Sequence, residues 1–302
     1  MNELVVETDG LTKRYGDRLA VDRVSMTVMR GEVYGFLGPN GAGKTTTLRM
    51  MLGLIRPTAG SARILGLPAG RPDVTARIGA LVEGPGFYPY LSGRDNLRTL
   101  ARYRRLPDTE VDRVLELVDL ADRAKDAFKS YSLGMKQRLG VAAAMLGSPD
   151  LLVLDEPTNG LDPAGMADMR ALVVSLAEAG QTVILSSHIL AEVQEICDRV
   201  GVINNGVLLR ESTVADLRGG ATLRLRATPE DAALATVMRS AGEDGVRRLG
   251  DGALEIDLPA TAAPRLVKDL VGAGVDVHEV TAAERSLEDV FFEMTSTKEL
   301  VS

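Results

Sequence analysis

Gly38-Pro39-Asn40-Gly41-Ala42-Gly43-Lys44-Thr45 matches the pattern G-x-x-x-x-G-K-[ST] at every fixed position. Each fixed residue has a physical task. Glycines carry no Cβ, so the backbone can curl until successive N–H groups point at one anion. Lys44 is long enough to reach the β- and γ-phosphates of a nucleotide, and Thr45 offers a hydroxyl to Mg²⁺. Thr46 follows at the start of a helix, where unpaired N–H groups add partial positive charge. A chance glycine-rich turn is the bland alternative, and the flanks argue against it. Glu32 to Leu37 is an apolar-leaning run ending at Gly38, as a buried strand would be. Thr45 to Leu54 carries Leu48, Met51 and Leu52 at helical spacing. Strand, glycine loop and helix together predict a site that binds and hydrolyses ATP.

Further along, Leu151 to Leu154 reads as a buried strand closed by Asp155-Glu156. An acidic residue at such a strand end can hold Mg²⁺, and a second carboxylate can take a proton from an attacking water; a solvated acidic turn before Pro157 is the alternative. His188 follows another buried strand, Thr182 to Leu185. Ligands gather at the carboxyl ends of parallel strands, although a lone histidine is more often structural. Helix Pro163 to Ala179 separates these two strands, which implies a mostly parallel sheet with helices on its faces.

Strands are also expected at Leu4 to Glu7, Arg23 to Met29 and Ile78 to Val82, with a loop at Gly84 to Tyr90. Helices are expected at Ser92 to Arg105, at Asp108 to Val118 with Asp108 or Thr109 as its cap, and at Met135 to Leu146. They define a mainly helical insertion, about residues 87–147, inside an α/β core. A break at Gly219-Gly220 divides a first domain, 1–218, from an accessory α/β domain, 219–302. In the latter, Thr222 to Ala227, Val246 to Leu249, Ala253 to Leu258 and Val275 to Val280 read as strands. Pro229 to Ser240 and Thr261 to Val271 read as helices, an order that suits a ferredoxin-like layer. A last helix is expected at Ser286 to Thr295.

The bulk numbers exclude several classes. The chain has 302 residues, enough for one large or two modest domains, and a formal charge of −7, which disfavours nucleic acid as a partner. Its one cysteine, Cys197, excludes an internal disulfide framework and fits a reducing compartment; flanked by Ile196 and Val200 on an expected helix, it reads as a small core residue. No apolar run approaches the ~20 residues of a membrane span, and the acidic N-terminus is unlike a signal peptide. The protein is expected in the cytoplasm. The arginines at 94, 98, 102, 104 and 105 read as a solvated face, with partner or lipid contact as the sharper alternative.

Tyr131-Ser132-Leu133-Gly134-Met135-Lys136-Gln137-Arg138 resembles the signature segment of ABC-type ATPases, usually LSGGQ with a following Q-R pair. Asn159-Gly160-Leu161-Asp162 resembles that family's D-loop, Ser187-His188 its H-loop, and Tyr15 its adenine-stacking A-loop residue. The resemblance runs over about residues 4–215. It implies a P-loop NTPase core, a mostly parallel sheet plus an antiparallel β layer, with a helical subdomain. It also implies a head-to-tail dimer with two ATP molecules between subunits, either a homodimer or a pair with a close relative. Ser132 and the N–H of Gly134 would complete the γ-phosphate site of the other copy, Glu156 would be the general base, and His188 would contact the γ-phosphate. Tyr15 would stack on adenine, unless it is only a surface aromatic. Asp162 would link the two sites, and it also suits a helix N-cap before Pro163.

Two departures stand out. Leu133 and Met135 replace signature residues, while Ser132 and Gly134 remain. Glu83 stands where the family has a glutamine that reaches Mg²⁺ and the attacking water. As a carboxylate it can ligate the metal, or it is a solvated loop residue. Glu83, the Pro85-Gly86-Phe87-Tyr88 that follows and the altered signature resemble the bacitracin-export and lantibiotic-immunity branch. Ser286-Leu287-Glu288-Asp289-Val290-Phe291 resembles a tail of drug-export ATPase subunits. The function implied is the ATPase of an exporter of a drug or antimicrobial peptide, at the inner face of the cell membrane beneath a separate integral permease. A soluble ABC ATPase unlinked to transport is the alternative.

Overall fold

Val33–Leu37 is buried at every position, so this strand is covered on both faces. It is an inner strand of the main sheet in a computed structural model that describes residues 3–218, 222–242 and 245–283. In chain order the first elements are β1 (Leu4–Tyr15), β2 (Arg18–Val24), β3 (Thr27–Met29), β4 (Val33–Leu37), α1 (Lys44–Met51), β5 (Ala59–Ile64), β6 (Leu67–Pro68), α2 (Pro72–Thr75) and β7 (Ile78–Leu81). Helices α3 (Gly93–Tyr103), α4 (Asp108–Leu117) and α5 (Leu133–Ala144) follow. Then come β8 (Leu151–Asp155), α6 (Pro163–Glu178), β9 (Thr182–Ser187), α7 (Leu190–Ile196), β10 (Arg199–Asn204), β11 (Val207–Thr213) and α8 (Val214–Arg218).

A six-stranded sheet runs β11-β10-β4-β9-β8-β7. All its pairs are parallel except β11 on β10. A second, antiparallel sheet runs β2-β1-β5-β6, with β3 also on β1. Helix α1 joins the two. Its Leu48, Met50 and Met51 share one buried cluster with Val5, Val6 and Leu11 of β1 and with Phe36, Val153 and Ile184 of the parallel sheet. Fully burying a side chain of this size contributes about 1.5–3 kcal/mol, so the phosphate-loop helix is anchored from both sides.

The strand expected at Arg23 to Met29 is two strands. Arg23 has φ of +49°, and the chain leaves the ladder after Val24. The buried Thr8 hydroxyl spans the gap, donating to the Val24 carbonyl at 3.1 Å and accepting from Met26 N–H at 2.9 Å. Residue 107, a proline, holds the N-cap position of α4, and no side chain caps that helix. Asp108 and Glu110 sit instead in its first turn, where they oppose the positive end of the helix dipole. Cys197 is buried as expected, but α7 ends just before it and Val200 belongs to β10. Its thiol packs under Gly35, where a Cβ would lie 2.9 Å from Sγ; burial pushes the thiol pKa far up.

The helical insertion is seated by small residues. A Cβ on Gly140 of α5 would sit 2.9 Å from Leu81 of β7, and one on Gly79 would sit 2.1 Å from the Ala144 carbonyl. The arginine cluster is largely consumed by the protein. Arg94 pairs with Asp112, Arg98 with Asp108 and Asp95, and Arg104 donates to the carbonyls of Leu146 and Ala76.

The chain divides into two compact units between Val214 and Ala215, a little ahead of the Gly219-Gly220 pair. The second unit contains β12 (Thr222–Thr228), α9 (Glu230–Ala241), β13 (Val246–Arg248), β14 (Leu254–Ile256), α10 (Ala263–Gly272) and β15 (Asp276–Ala283). Its sheet order, β13-β14-β12-β15 with every pair antiparallel, is the ferredoxin-like arrangement. Leu223, Leu225, Leu254 and Ile256 pack there against Val237 of α9 and Leu266 and Leu270 of α10. The helix expected at Ser286 to Thr295 lies outside the described residues.

Candidate functional site

Register in the parallel sheet brings three loops to one edge. Leu37 of β4 lies opposite Ser187 of β9, and Asp155 of β8 lies opposite Ser186. The chain therefore leaves β4 at Gly38, β8 at Glu156 and β9 at His188 side by side, although these positions are far apart in sequence. This is the strand end at which α/β sheets bind ligands.

The glycine loop is shaped by contacts that exclude side chains. A Cβ on Gly38 would lie 2.3 Å from the Ile203 carbonyl oxygen, and one on Gly43 would lie 2.7 Å from that of Ala20. Gly41 and Gly43 have φ of +80° and +107°, the left-handed region that favours glycine. Ala42 is buried beneath the loop. At the start of α1 the N–H groups of Lys44, Thr45 and Thr46 have no acceptor within the helix, and these residues line a cleft of 480 Å³ with Tyr15, Asn40 and Glu156.

Lys44 is only 4% exposed. Its Nζ donates to the carbonyls of Gly38 at 2.7 Å and Pro39 at 3.2 Å, and it pairs with Glu156 Oε1 at 3.0 Å. A buried ammonium beside unpaired N–H groups fits a polyphosphate. Glu156 itself has φ of +47°. Its N–H donates to the Ser186 carbonyl at 3.2 Å and to Ser186 Oγ at 3.0 Å. Its other carboxylate oxygen, Oε2, lies 3.1 Å from His188 Nδ1. One carboxylate thus touches the phosphate-loop lysine and the histidine together. Asp155 is 9% exposed and accepts from Ser186 Oγ at 2.6 Å.

Mg²⁺ is held most often by one or two carboxylates and the substrate's own phosphates. Among the described residues, no three His, Cys, Asp or Glu side chains gather as a metal cage. Thr45 and Asp155 suit the leaner arrangement. Glu83 is solvent-exposed, at φ of +64°, and its carboxylate is taken by Arg49 of α1. Tyr15 ends β1, half-exposed, with Lys13 Nζ 5.0 Å from its ring centroid.

Ser132, Gly134 and Asp162 lie away from the cleft lining of their own chain. Ser132 caps α5 by accepting from Met135 N–H at 3.2 Å, and Asp162 caps α6 by accepting from Gly165 N–H at 2.9 Å. The two helix starts adjoin: a Cβ on Gly160 would sit 3.3 Å from Leu133.

Sequence reasoning passed over Arg18 and Ala20 of the cleft, and Ser186, Arg49 and Glu192 around it. Ser186 and Ser187 could have been suspected from two hydroxyl residues closing a buried strand. Arg49 and Glu192 carry no local sign, because their partners come from other elements. The second unit has a shallow groove of 760 Å³ between α9 and α10, flanked by Arg239, Arg265 and Lys268.

Comparison with known proteins agrees with this geometry. The family model described as "ABC transporter" matches residues 21–159. The chain is 41% identical over 296 residues to "Bacitracin transport ATP-binding protein BcrA" of Bacillus licheniformis, covering 96% of this chain and 97% of that one. It is 39% identical over 207 residues to "Lantibiotic transport ATP-binding protein SrtF" of Streptococcus pyogenes, covering 68% of this chain and 90% of that one. Among solved structures it resembles "Structure of ATP binding subunit of ABC transporter", with 30% identity, a TM-score of 0.63, and coverage of 71% of this chain and 92% of that one.

Proposed function

The chain belongs to the ABC transporter ATP-binding subunits, and on that footing we propose that it is the ATPase of an exporter for a peptide antimicrobial or drug. The observation that carries the reading is likeness to a bacitracin-transport subunit along nearly the whole of both chains. A permease on a separate chain supplies the path, since no described helix is long and apolar enough to cross a membrane. Residues 83–90, with exposed Tyr88 and Tyr90, and the helical insertion are where the permease docks. Residues 1–218 act as the nucleotide-binding domain and 219–302 as an accessory domain. The assembly works at the inner face of the cell membrane.

ATP enters with its adenine on Tyr15 and its phosphates on the loop from Gly38 to Thr46. The phosphates compete with Glu156 for Lys44, which frees the carboxylate. Glu156 then takes a proton from water as the water oxygen bonds to the γ-phosphorus, and the bond to the β-phosphate oxygen breaks. His188 steadies the transferred group. Mg²⁺, held by Thr45 and Asp155, would neutralise the developing phosphate charge. Glu83 joins this shell only by leaving Arg49. Ser132, Gly134 and Asp162 act on the partner copy's nucleotide in a homodimer, which fits their position outside their own cleft.

Co-expression with the neighbouring reading frames tests this. The expected result is copurification from membranes, ATP turnover, and raised tolerance to bacitracin or a lantibiotic, with tolerance and turnover lost in Lys44→Ala. A chain that turns over ATP yet stays partnerless would overturn the exporter reading. Wild-type turnover in Lys44→Ala would overturn the site.

A further inference from the structure

Glu192 is 2% exposed, yet it takes no part in the chemistry above. Its Oε2 accepts two hydrogen bonds, from Thr158 Oγ1 at 2.9 Å and from Ser187 Oγ at 2.9 Å. Its Oε1 is buried with no hydrogen-bond partner. Among the described residues no cation pairs with it. Burying a carboxylate on two hydroxyls and no counter-charge is costly. An apolar side chain of similar size would serve packing alone better.

The two hydroxyls belong to the two segments that carry the reaction. Thr158 follows Glu156 and Pro157, and Ser187 immediately precedes His188. Ser187 Oγ also accepts from Ile189 N–H at 2.9 Å, so its place brackets the histidine. Thr158 in turn accepts from Leu161 N–H through its carbonyl at 3.1 Å, which ties it to the turn before Asp162. A carboxylate only accepts, so both hydroxyls must aim at it. Glutamine at this place would keep one accepting oxygen, which is all that the two hydroxyls use, whereas leucine would remove both acceptors.

We propose that Glu192 is a positioning residue for hydrolysis. It clamps the segment after Glu156 to the segment before His188, and so holds the 3.1 Å contact between Oε2 of Glu156 and Nδ1 of His188. Through Thr158 it also passes a shift of the turn at residues 159–162 on to the histidine. This rests on the reading of Glu156 and His188 as the hydrolytic pair.

Steady-state turnover of the purified full chain tests it, with calorimetry to check folding. Glu192→Leu is expected to lower kcat about tenfold or more while KM for ATP stays within about threefold, the mark of an interaction spent on the reaction rather than on binding. Thr158→Val should fall to a similar level, and Thr158→Ser, which keeps the donor, should recover to within about threefold of wild type. The double variant Thr158→Val with Glu192→Leu should be no worse than Glu192→Leu alone, because that change already removes the link to Thr158. Wild-type kcat in Glu192→Leu, or equal losses in Thr158→Val and Thr158→Ser, would overturn the proposal. If Glu192→Leu does not fold, the Thr158 pair decides alone. An inactive wild type, or a wild type indifferent to Lys44→Ala, would instead sink the underlying site.

Discussion

Replacing Gly38 by alanine puts a methyl group 2.3 Å from the Ile203 carbonyl oxygen, 2.9 Å from Ile203 Cγ2 and 3.2 Å from Ala42 Cβ. Carbon and carbonyl oxygen rest in contact at about 3.3 Å or more, so the loop and the strand must part by about 1 Å. Strand β10 is paired on both sides, with β4 and β11, and resists moving. The loop therefore yields. Over-packing costs about 1–3 kcal/mol, and a backbone obstacle puts this case near the top of that range. For a unit of this size each kcal/mol lowers Tm by about 2–4 °C, so a fall of about 4–12 °C is expected. The displaced loop also mis-aims its N–H donors, each worth about 1.5–3 kcal/mol on a charged acceptor. Loss of one raises the Kd for ATP about tenfold or more. Calorimetry and titration with a fluorescent ATP analogue read both effects. Gly41→Ala is the control: its Cβ meets nothing within 4 Å, and only its φ of +80° resists, at about 1–2 kcal/mol. A Gly38→Ala chain with wild-type Tm and Kd, or one less damaged than Gly41→Ala, would refute the steric reasoning.

Glu156→Gln should bind ATP yet hydrolyse it ~10²–10⁴ times more slowly, and sedimentation with ATP and Mg²⁺ should show a trapped dimer; a variant that stays monomeric argues against the sandwich. Glu83→Gln should keep Mg²⁺-dependent turnover but shift its rate or pH profile, whereas identical profiles would assign Glu83 to Arg49 alone. Hydrogen bonds from Arg77 and then Arg30 hold the Asp150 carboxyl below the usual carboxylate range. Its contribution to stability is therefore present above the unfolded pKa and is lost as pH falls through the lower folded value. Asp150→Asn should flatten the acid limb of a stability–pH curve below about pH 4, and an unchanged limb would show that these partly exposed pairs contribute nothing measurable.

The glycine loop was legible from sequence because its constraint is local: a left-handed φ at Gly41 and Gly43 and a lysine at fixed spacing need no distant partner. The buried strands before Gly38, Asp155 and His188 were legible for the same reason, as continuous apolar runs. The break between Val24 and Thr27 was not. It depends on the buried Thr8 hydroxyl, which arrives from another strand and offers the backbone an alternative to the ladder. Glu83 shows the limit for side chains. Its position in the chain suggested Mg²⁺, while the fold brings Arg49 of α1 against it. The sequence by itself determined the nucleotide chemistry and the two-part α/β plan, because period, turn chemistry and phosphate-loop spacing act over a few residues. Only the tertiary structure decided that Glu156 bridges Lys44 and His188, and that Glu192 joins the segments beside them. Those contacts come from the register of β4, β8 and β9, strands far apart in the chain, and register is fixed by packing across the whole sheet.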